Sequence, residues 1–165
     1  METQRDNLEE QALKRFEAIA RRCGYEVFKG QGSDNRIVLK GNNYFQFGDL
    51  RVRAGTHYVV IEAESAGGVT NLVKYWYCLE RKHIAKPMIL LHLFRQTTPG
   101  DYASHLALWD FLYNRMSDAL ADRIRATRYT YRDVTDLESA ARDFEEHLKT
   151  LRSSVNGDGL PRVST

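Results

Sequence analysis

The chain is poor in the features that would tie it to an oxidising compartment or to a membrane. It has two cysteines, Cys23 and Cys78, and they form no Cys-x-x-Cys pair, so we expect neither a disulfide framework nor a zinc knuckle. No run reaches the roughly 18 apolar residues of a membrane span, and the first residues lack the apolar segment of a secretion signal. These absences predict a soluble, cytoplasmic protein without a membrane partner.

A large excess of charge of one sign is also missing. The 24 basic and 22 acidic side chains leave a formal net charge of +2, so any surface that attracts nucleic acid must be a local basic patch. The histidines are dispersed without the spacing of a zinc site. The hydrophobic content of 42% is that of one domain with an ordinary core, and we assign this domain to residues 1–152.

Hydrophobic periodicity predicts an α/β fold with a mixed α+β sheet and the element order αβββαβ over about residues 6–96. Helical spacing predicts a first helix from Asp6 to Cys23, and another from Thr70 to about His83. Short segments rich in β-branched and aromatic residues, separated by Gly, Asn and Ser, predict strands. The predicted strands are Tyr25–Lys29, Arg36–Lys40, Tyr44–Arg53, His57–Glu64 and Pro87–Phe94.

Residues from about 101 to 152 predict a helical extension of this core. Apolar stripes run from Leu108 to Ile124 and from Leu137 to Leu151, and Arg128–Val134 has the composition of an edge strand. The second stripe has the alternating spacing of a coiled-coil seam, so a homodimer and packing onto the chain's own sheet both remain open. Residues 153–165 have no period and several breakers, which predicts a mobile tail.

Acidic side chains stand where an apolar strand ends. Glu62 and Glu64 follow the apolar run Tyr58–Ile61, and the period of two places both on one face of the strand. Asp49 lies on the preceding predicted strand. Burying several carboxylates together is costly unless a cation neutralises them. The sequence therefore predicts a divalent metal site.

A fourth acid lies on the first predicted helix. Glu9 falls within its apolar arc, because Ala12, Phe16 and Ala20 follow at three, seven and eleven residues. An acid near the start of a helix is also stabilised by the helix dipole. A role at the metal site and a purely capping role both remain open for Glu9.

Taken in order, these residues resemble the motifs of the PD-(D/E)xK nuclease superfamily, which has the restriction-endonuclease-like fold. The resemblance covers about residues 6–96 and not the helical extension. The matching positions are Glu9 for the glutamate of helix one, Asp49 for the motif aspartate, Glu62-Ala63-Glu64 for the (D/E)-x-K tripeptide, and Asn71 with Tyr75 for the Gln-x-x-x-Tyr element of the RecB-like branch.

Two positions depart from the family pattern. Gly48 stands where proline is usual, and Glu64 stands where lysine is usual. Some restriction enzymes of this fold carry Glu-x-Glu, and in other members the lysine comes from the following helix, where Lys74 is present. By helical angle Lys74 lies almost opposite Leu72 and Trp76, which favours a solvated or phosphate-contacting lysine.

The resemblance implies a metal-dependent endonuclease that hydrolyses phosphodiester bonds, with DNA favoured over RNA as the substrate. Asp49, Glu62 and the backbone carbonyl of Ala63 are the implied ligands of Mg²⁺ or Mn²⁺. Glu64 would position or deprotonate the attacking water. Glu9 would organise a second ion or an outer-shell water.

Local cations are needed beside such an acidic site if it is to bind a phosphate backbone. The predicted nucleic-acid contacts are Arg51, Arg53, Lys40, Asn71 and Tyr75. Charges on a solvated hairpin explain the basic residues equally well. Two other hypotheses remain open: a nucleic-acid-binding or protein-interaction module that has lost hydrolysis, and an unrelated α+β protein in which Glu62 and Glu64 pair with protein cations.

Overall fold

The computed structural model describes residues 3–64 and 68–157, which form four helices and seven strands. The helices are α1 (Thr3–Arg22), α2 (Val69–Glu80), α3 (Ala103–Leu120) and α4 (Glu138–Gly157). The strands are β1 (Val27–Lys29), β2 (Arg36–Val38), β3 (Tyr44–Gln46), β4 (Leu50–Ala54), β5 (His57–Glu64), β6 (Met88–Arg95) and β7 (Ile124–Tyr131). Short 3₁₀ turns at Ala121–Arg123 and Val134–Leu137 precede β7 and α4.

Five strands form one mixed sheet in the order β1-β4-β5-β6-β7. Strands β1, β4 and β5 are antiparallel neighbours, whereas β6 and β7 run parallel to β5. Helices α2 and α3 form the crossover connections that parallel neighbours require. Glu62 pairs with His92 across the β5–β6 ladder, so the carboxyl ends of these two strands lie at the same edge of the sheet.

Helices cover both faces of this sheet. On one face α1 and α4 pack together, and the rings of Phe16 and Phe144 meet edge to face with their centroids 5.4 Å apart. On the other face lie α2 and α3. The alternation of β5 assigns its side chains to these layers: Ile61 belongs to the α1–α4 core and Val60 to the α2–α3 core. Glu62 has the parity of Val60 and therefore faces α2.

The predicted α/β class with a mixed sheet is confirmed, and α1, β1, β4, β5, α2 and β6 follow the predicted element order. The single strand predicted at Tyr44–Arg53 is wrong. Strand β3 ends at Gln46, and β4 begins at Leu50 in a different sheet. Gly48 separates them with a φ of +80°, a left-handed conformation that breaks the extended chain. Strands β2 and β3 thus form a separate hairpin inserted into the predicted core.

The carboxy-terminal elements complete the sheet and its α1 face. The edge strand begins at Ile124 instead of Arg128. The apolar stripe of α4, including Phe144 and Leu148, is buried in the chain's own core, so it is not an exposed dimerisation seam. Helix α4 continues to Gly157, five residues beyond the predicted start of a mobile tail after residue 152. The rest of that predicted tail, residues 158–165, lies outside the described part. No helix in the described part is both long and apolar enough to cross a membrane.

Candidate active site

A buried carboxylate and a lysine form an ion pair where β5 meets α2. Glu62 is 3% exposed, and its Oε1 accepts a hydrogen bond from Lys74 Nζ at 2.7 Å. The Tyr75 hydroxyl donates to the same oxygen. Burial raises the pKa of Glu62, the Lys74 ammonium lowers it, and the charge of Asp49 raises it again. The carboxylate is therefore held against a cation fixed by the fold.

The helical angle predicted the wrong position for the side chain of Lys74. Its side chain is 12% exposed, and Nζ also donates to the Gln46 carbonyl at 3.2 Å, so the predicted solvated position is wrong. The inward arc of α2 is marked by Tyr75 and Cys78, which are fully buried, whereas Trp76 is only half-buried. Lys74 borders this arc, and its long side chain reaches over the end of β5.

Asp49 lies immediately before β4, next to the Glu62 carboxylate. Its Oδ2 accepts a hydrogen bond from the Ala63 amide at 2.8 Å, and its Oδ1 accepts one from Gln46 Nε2 at 3.1 Å. Burial raises the pKa of Asp49, the Ala63 amide lowers it, and the charge of Glu64 raises it. The acids thus repel one another in a partly dry site, which favours the entry of a cation.

Gly48 determines how the chain enters Asp49. Its φ of +80° is left-handed, and a Cβ added there would collide with the side chain of Val60. Proline cannot occupy this conformation, because its ring holds φ near roughly −65°. The backbone before the aspartate therefore differs from that of the proline-containing motif, and the change is larger than a replacement of one turn residue by another.

The partners of Glu64 are side chains of α2 and β6, and neither of them is a lysine. Asn71 Nδ2 donates to Glu64 Oε1, and His92 Nε2 lies 3.6 Å from the same oxygen. His92 is fully buried, and its Nδ1 accepts a hydrogen bond from Trp109 Nε1 at 3.0 Å. Since an indole N–H is only a donor, this Nδ1 carries no proton and the ring proton is on Nε2. His92 therefore presents an N–H, not a lone pair, towards Glu64.

Glu9 of α1 lies on the side of the site away from α2. Its side chain is half-buried. Burial is the main cause of the raised pKa values of Asp49 and Tyr131, and the charge of Glu9 raises both further. The charge of Glu9 thus acts on Asp49, and the two predicted roles of Glu9, at the metal site and as a capping residue, both stay predictions.

Arg51 does not line a ligand-binding surface. It is 3% exposed, its Nε donates to Asn35 Oδ1 at 3.1 Å, and a terminal nitrogen donates to the Asp34 carbonyl at 2.6 Å. Its guanidinium also lies over the ring of Phe28, 4.3 Å from the centroid. The prediction that Arg51 contacts nucleic acid is wrong, because the loop around Asn35 covers this part of β4.

Two of the other predicted contacts also point into the protein. Tyr75 is fully buried against Glu62, which excludes direct contact with a nucleic acid in this conformation. Asn71 is bonded to Glu64 and belongs to the carboxylate site. Arg53 and Lys40 are exposed, as a role in binding a phosphate backbone requires.

The β2–β3 hairpin presents aromatic and basic side chains beside the site. Tyr44 and Phe45 are exposed, and the Arg36 guanidinium lies 4.0 Å from the centroid of the Tyr44 ring. Lys40 is exposed in the turn. At the other end of β3, Gln46 bonds to the site aspartate. The hairpin is therefore connected directly to the acidic residues.

The acids fit a hard divalent cation by the chemistry of their donors. Asp49, Glu62 and the carbonyl of Ala63 offer the oxygen ligands that Mg²⁺ and Mn²⁺ prefer. Within the described part of the chain, however, no three His, Cys, Asp or Glu side chains are grouped so as to hold a metal ion. Lys74 takes the cation's place beside Glu62. Glu62 has thus found a protein cation, as the hypothesis of an unrelated α+β protein requires, whereas Glu64 contacts a neutral amide and a neutral imidazole.

No protein-family model matches this chain, and no curated protein or solved structure matches it. The functional assignment therefore depends on the geometry of the site. The resemblance to the nuclease superfamily stays a hypothesis based on motif residues and their positions in the fold.

Proposed function

We propose that this chain is a metal-dependent nuclease with a restriction-endonuclease-like core, and that it hydrolyses phosphodiester bonds in DNA. The observation that supports this most strongly is the buried ion pair of Lys74 and Glu62, at 2.7 Å, beside Asp49. The superfamily motif requires two acids and a lysine at one point. In this chain α2 supplies the lysine, and the motif's own lysine position holds Glu64.

The residues of the site divide the chemistry among them. Asp49, Glu62 and the Ala63 carbonyl would hold Mg²⁺ or Mn²⁺, and the bound ion would supply Lewis-acid activation of the phosphoryl group and of water. The Lys74 ammonium donates to the attacking water or to a non-bridging phosphoryl oxygen. Glu64 accepts a proton from that water while the oxygen of the water forms a bond to phosphorus. The bond to the leaving oxygen breaks, and that oxygen takes a proton from solvent.

Glu64 is suited to this role by the way it is held. Asn71 fixes one of its oxygens, and the Nε2–H of His92 faces the same oxygen. The imidazole is itself oriented by Trp109. A general base must be positioned within reach of the proton that it removes, and Asn71 and the oriented imidazole of His92 define the position of Glu64.

The hairpin supports a polymeric substrate over a small phosphodiester. Exposed Tyr44 and Phe45 offer faces on which bases stack, and base–aromatic stacking tolerates any sequence. The exposed cations Lys40 and Arg53 provide contacts to phosphates. A nucleic-acid strand that binds along the hairpin therefore extends towards Asp49, Glu62 and Glu64.

Cleavage assays test this proposal. The protein is incubated with supercoiled plasmid, linear duplex, single-stranded DNA and RNA in Mg²⁺ or Mn²⁺, alongside Asp49→Ala and Lys74→Met. We expect cleavage of DNA by the wild type and its loss in both variants. Lys14→Met is the matched control, because it removes an exposed lysine that is paired with Glu10 at 2.6 Å and not with Asp49, Glu62 or Glu64.

A binding module without hydrolytic activity is the second candidate. It is favoured by Glu64 in place of the motif lysine and by the position of Lys74 beside Glu62, where a metal ion would be held. Binding without cleavage, independent of metal and weakened by Tyr44→Ser, would select this candidate. Absence of both binding and cleavage with all four substrates would contradict both candidates.

A further inference from the structure

A cavity lies at the end of the sheet opposite the candidate active site. Its volume is about 530 Å³. Met88 and Ile124, the first residues of β6 and β7, form part of its lining, so the cavity opens at the amino ends of the parallel strands. Helices α3 and α4 contribute the walls on either side.

Three groups able to carry positive charge meet in this cavity. They are His57, the first residue of β5, Arg125 on β7, and His147 on α4. Burial lowers the pKa of both histidines, and the Arg125 guanidinium lowers each of them further. The three groups are neighbours because they line one cavity, and the charge of the guanidinium opposes protonation of both imidazoles.

The acidic groups around the cavity are less favourably placed. Asp122 is part of the lining, but it is exposed to solvent. On α4, Asp143 and Glu146 raise the pKa of His147, by less than burial and Arg125 lower it. Asp143 also accepts a hydrogen bond from the Tyr129 hydroxyl at 2.6 Å. These acids do not offset the repulsion between Arg125 and the protonated forms of His57 and His147. A bound dianion would relieve that repulsion.

Neutral donors and an apolar wall complete the lining. The Tyr113 hydroxyl oxygen accepts a hydrogen bond from the Ala126 amide at 3.0 Å, which directs its own proton away from that amide. Thr56 Oγ1 lies 2.8 Å from His57 Nδ1 and orients this ring. Ile89 and Leu151 are apolar members of the lining. The cavity therefore combines charge, hydroxyl groups and a hydrophobic surface.

We propose that this cavity binds a small phosphomonoester, with Arg125, His57 and His147 around the phosphate and the apolar wall against a compact organic group. The guanidinium matches phosphate oxygens in pairs, and the histidines become protonated as the dianion enters. The volume lies within the usual range of sites for small molecules, roughly 300–1,000 Å³. The cavity shares no residue with the acids and Lys74, so this proposal is independent of the proposed nuclease.

Sulfate is the first probe, because it stays doubly charged between pH 6 and pH 8 and any pH dependence of its binding then belongs to the protein. The imidazole resonances are followed by NMR at constant ionic strength, with chloride as the balancing anion. We expect saturable shifts of His57 and His147 together, and affinity at least about tenfold higher at pH 6 than at pH 8, the equivalent of one pKa unit. Shifts that chloride reproduces, or affinity that is equal at the two pH values, would overturn the proposal.

The second measurement compares phenyl phosphate, inorganic phosphate and phenol at pH 7 by calorimetry. Phenyl phosphate should bind most tightly, because it occupies both the cationic and the apolar parts of the cavity. Arg125→Met should weaken its binding about tenfold or more, since a charge-assisted bidentate contact is lost. Arg81→Met is the matched control, because it removes an exposed arginine at the end of α2. Equal affinity in the Arg125 and Arg81 variants would refute the site, whether or not the protein cleaves nucleic acid.

Discussion

Glu62 and Glu64 stand two residues apart on one face of β5 and have different partners. Glu62 is paired with the Lys74 ammonium. Glu64 contacts the amide of Asn71 and an imidazole that is neutral because Trp109 donates to its Nδ1. Glu62 is thus placed to keep a negative charge in the site, and Glu64 is placed to accept a proton.

Lys74→Met should lower the free energy of unfolding by about 3–5 kcal/mol at pH 7, because it leaves the Glu62 carboxylate buried without a counter-charge. Urea unfolding measures this loss. Adding Glu62→Gln should restore part of the stability, since a neutral amide needs no cation. The control Lys14→Met should stay within about 0.5 kcal/mol of the wild type. An equally small effect of Lys74→Met would mean that the ion pair does not form.

Trp109→Phe should remove the preference of His92 for a single tautomer. Without the indole N–H, Nδ1 is free to carry the proton, and Nε2 no longer presents an N–H to Glu64. We expect nitrogen NMR to show the Nε2–H form in the wild type and a mixture in the variant. The cleavage rate should fall about 10- to 100-fold with little change in KM, as for other residues that orient a catalytic group. A wild-type ring protonated on Nδ1 would contradict this account.

Helix α2 contributes to the core and to the site with two adjoining faces. Leu72 and Leu79 pack into the α2–α3 core. Asn71, Lys74 and Tyr75 are spaced by three and four residues and therefore form one stripe along the helix. That stripe contacts Glu62 and Glu64 at the end of β5, so the orientation of the helix fixes three side chains of the site at once.

Gly48→Ala should destabilise the protein more than Gly41→Ala. Both glycines have positive φ, +80° and +66°, so both substitutions carry the backbone cost of a left-handed non-glycine residue, about 1 kcal/mol. Only at Gly48 does the added Cβ meet the Val60 side chain, whereas at Gly41 no atom lies within 4 Å. Chemical denaturation of the two variants isolates the steric part. Equal losses of unfolding free energy in the two variants would show that β5 shifts at Val60 to accommodate the added Cβ.

Tyr44→Ser should weaken binding of single-stranded DNA by about 1–3 kcal/mol, the contribution of one stacked base. Tyr77→Ser on α2 is the control, because Tyr44 and Tyr77 are equally exposed, at 46% and 45%. Fluorescence anisotropy, with Asp49→Ala in both proteins to prevent cleavage, measures the difference. Equal affinities of the two variants would show that the hairpin does not bind the strand.

Periodicity predicted the elements, whereas the site depended on contacts between elements that periodicity does not describe. Helix α1 was predictable because its apolar spacing is regular, and strand β6 because its apolar run is nearly continuous. The break at Gly48 was not, because glycine also occurs within strands. Lys74 was misplaced because Trp76, taken as inward-facing, is only half-buried, and the stripe of Asn71, Lys74 and Tyr75 was the available signal. The burial of Arg51 depends on the loop at Asn35, which no strand pattern reveals.

The whole molecule depends on its carboxy-terminal elements for a closed core. Strand β7 pairs with β6 along its whole length, and α4 covers the α1 face through Phe144 and Leu148. Phe16 of α1 packs directly on Phe144. The region of about residues 6–96, which carries the resemblance to the nuclease superfamily, thus lacks one wall of its own core.

A chain ending at residue 96 should fail to fold, because its sheet would expose an edge along β6 and an apolar face beneath α1. Circular dichroism and the dispersion of amide resonances in NMR spectra test this expectation. A chain ending at residue 157 is the control and should give the spectrum of the full protein. A cooperative thermal transition in the shorter chain would show that α4 and β7 are dispensable.

The alternation along β5 also limits how this protein can evolve. Ile61 faces one core and Glu62 the other side of the sheet, so inserting or deleting a single residue in the strand would exchange these faces for every position beyond it. Carboxylates would enter the hydrophobic layer under α1, and aliphatic side chains would replace them opposite Lys74. Changes of length should therefore be found among homologues in the turn between β2 and β3, where Gly41 meets open space, and not between His57 and Glu64.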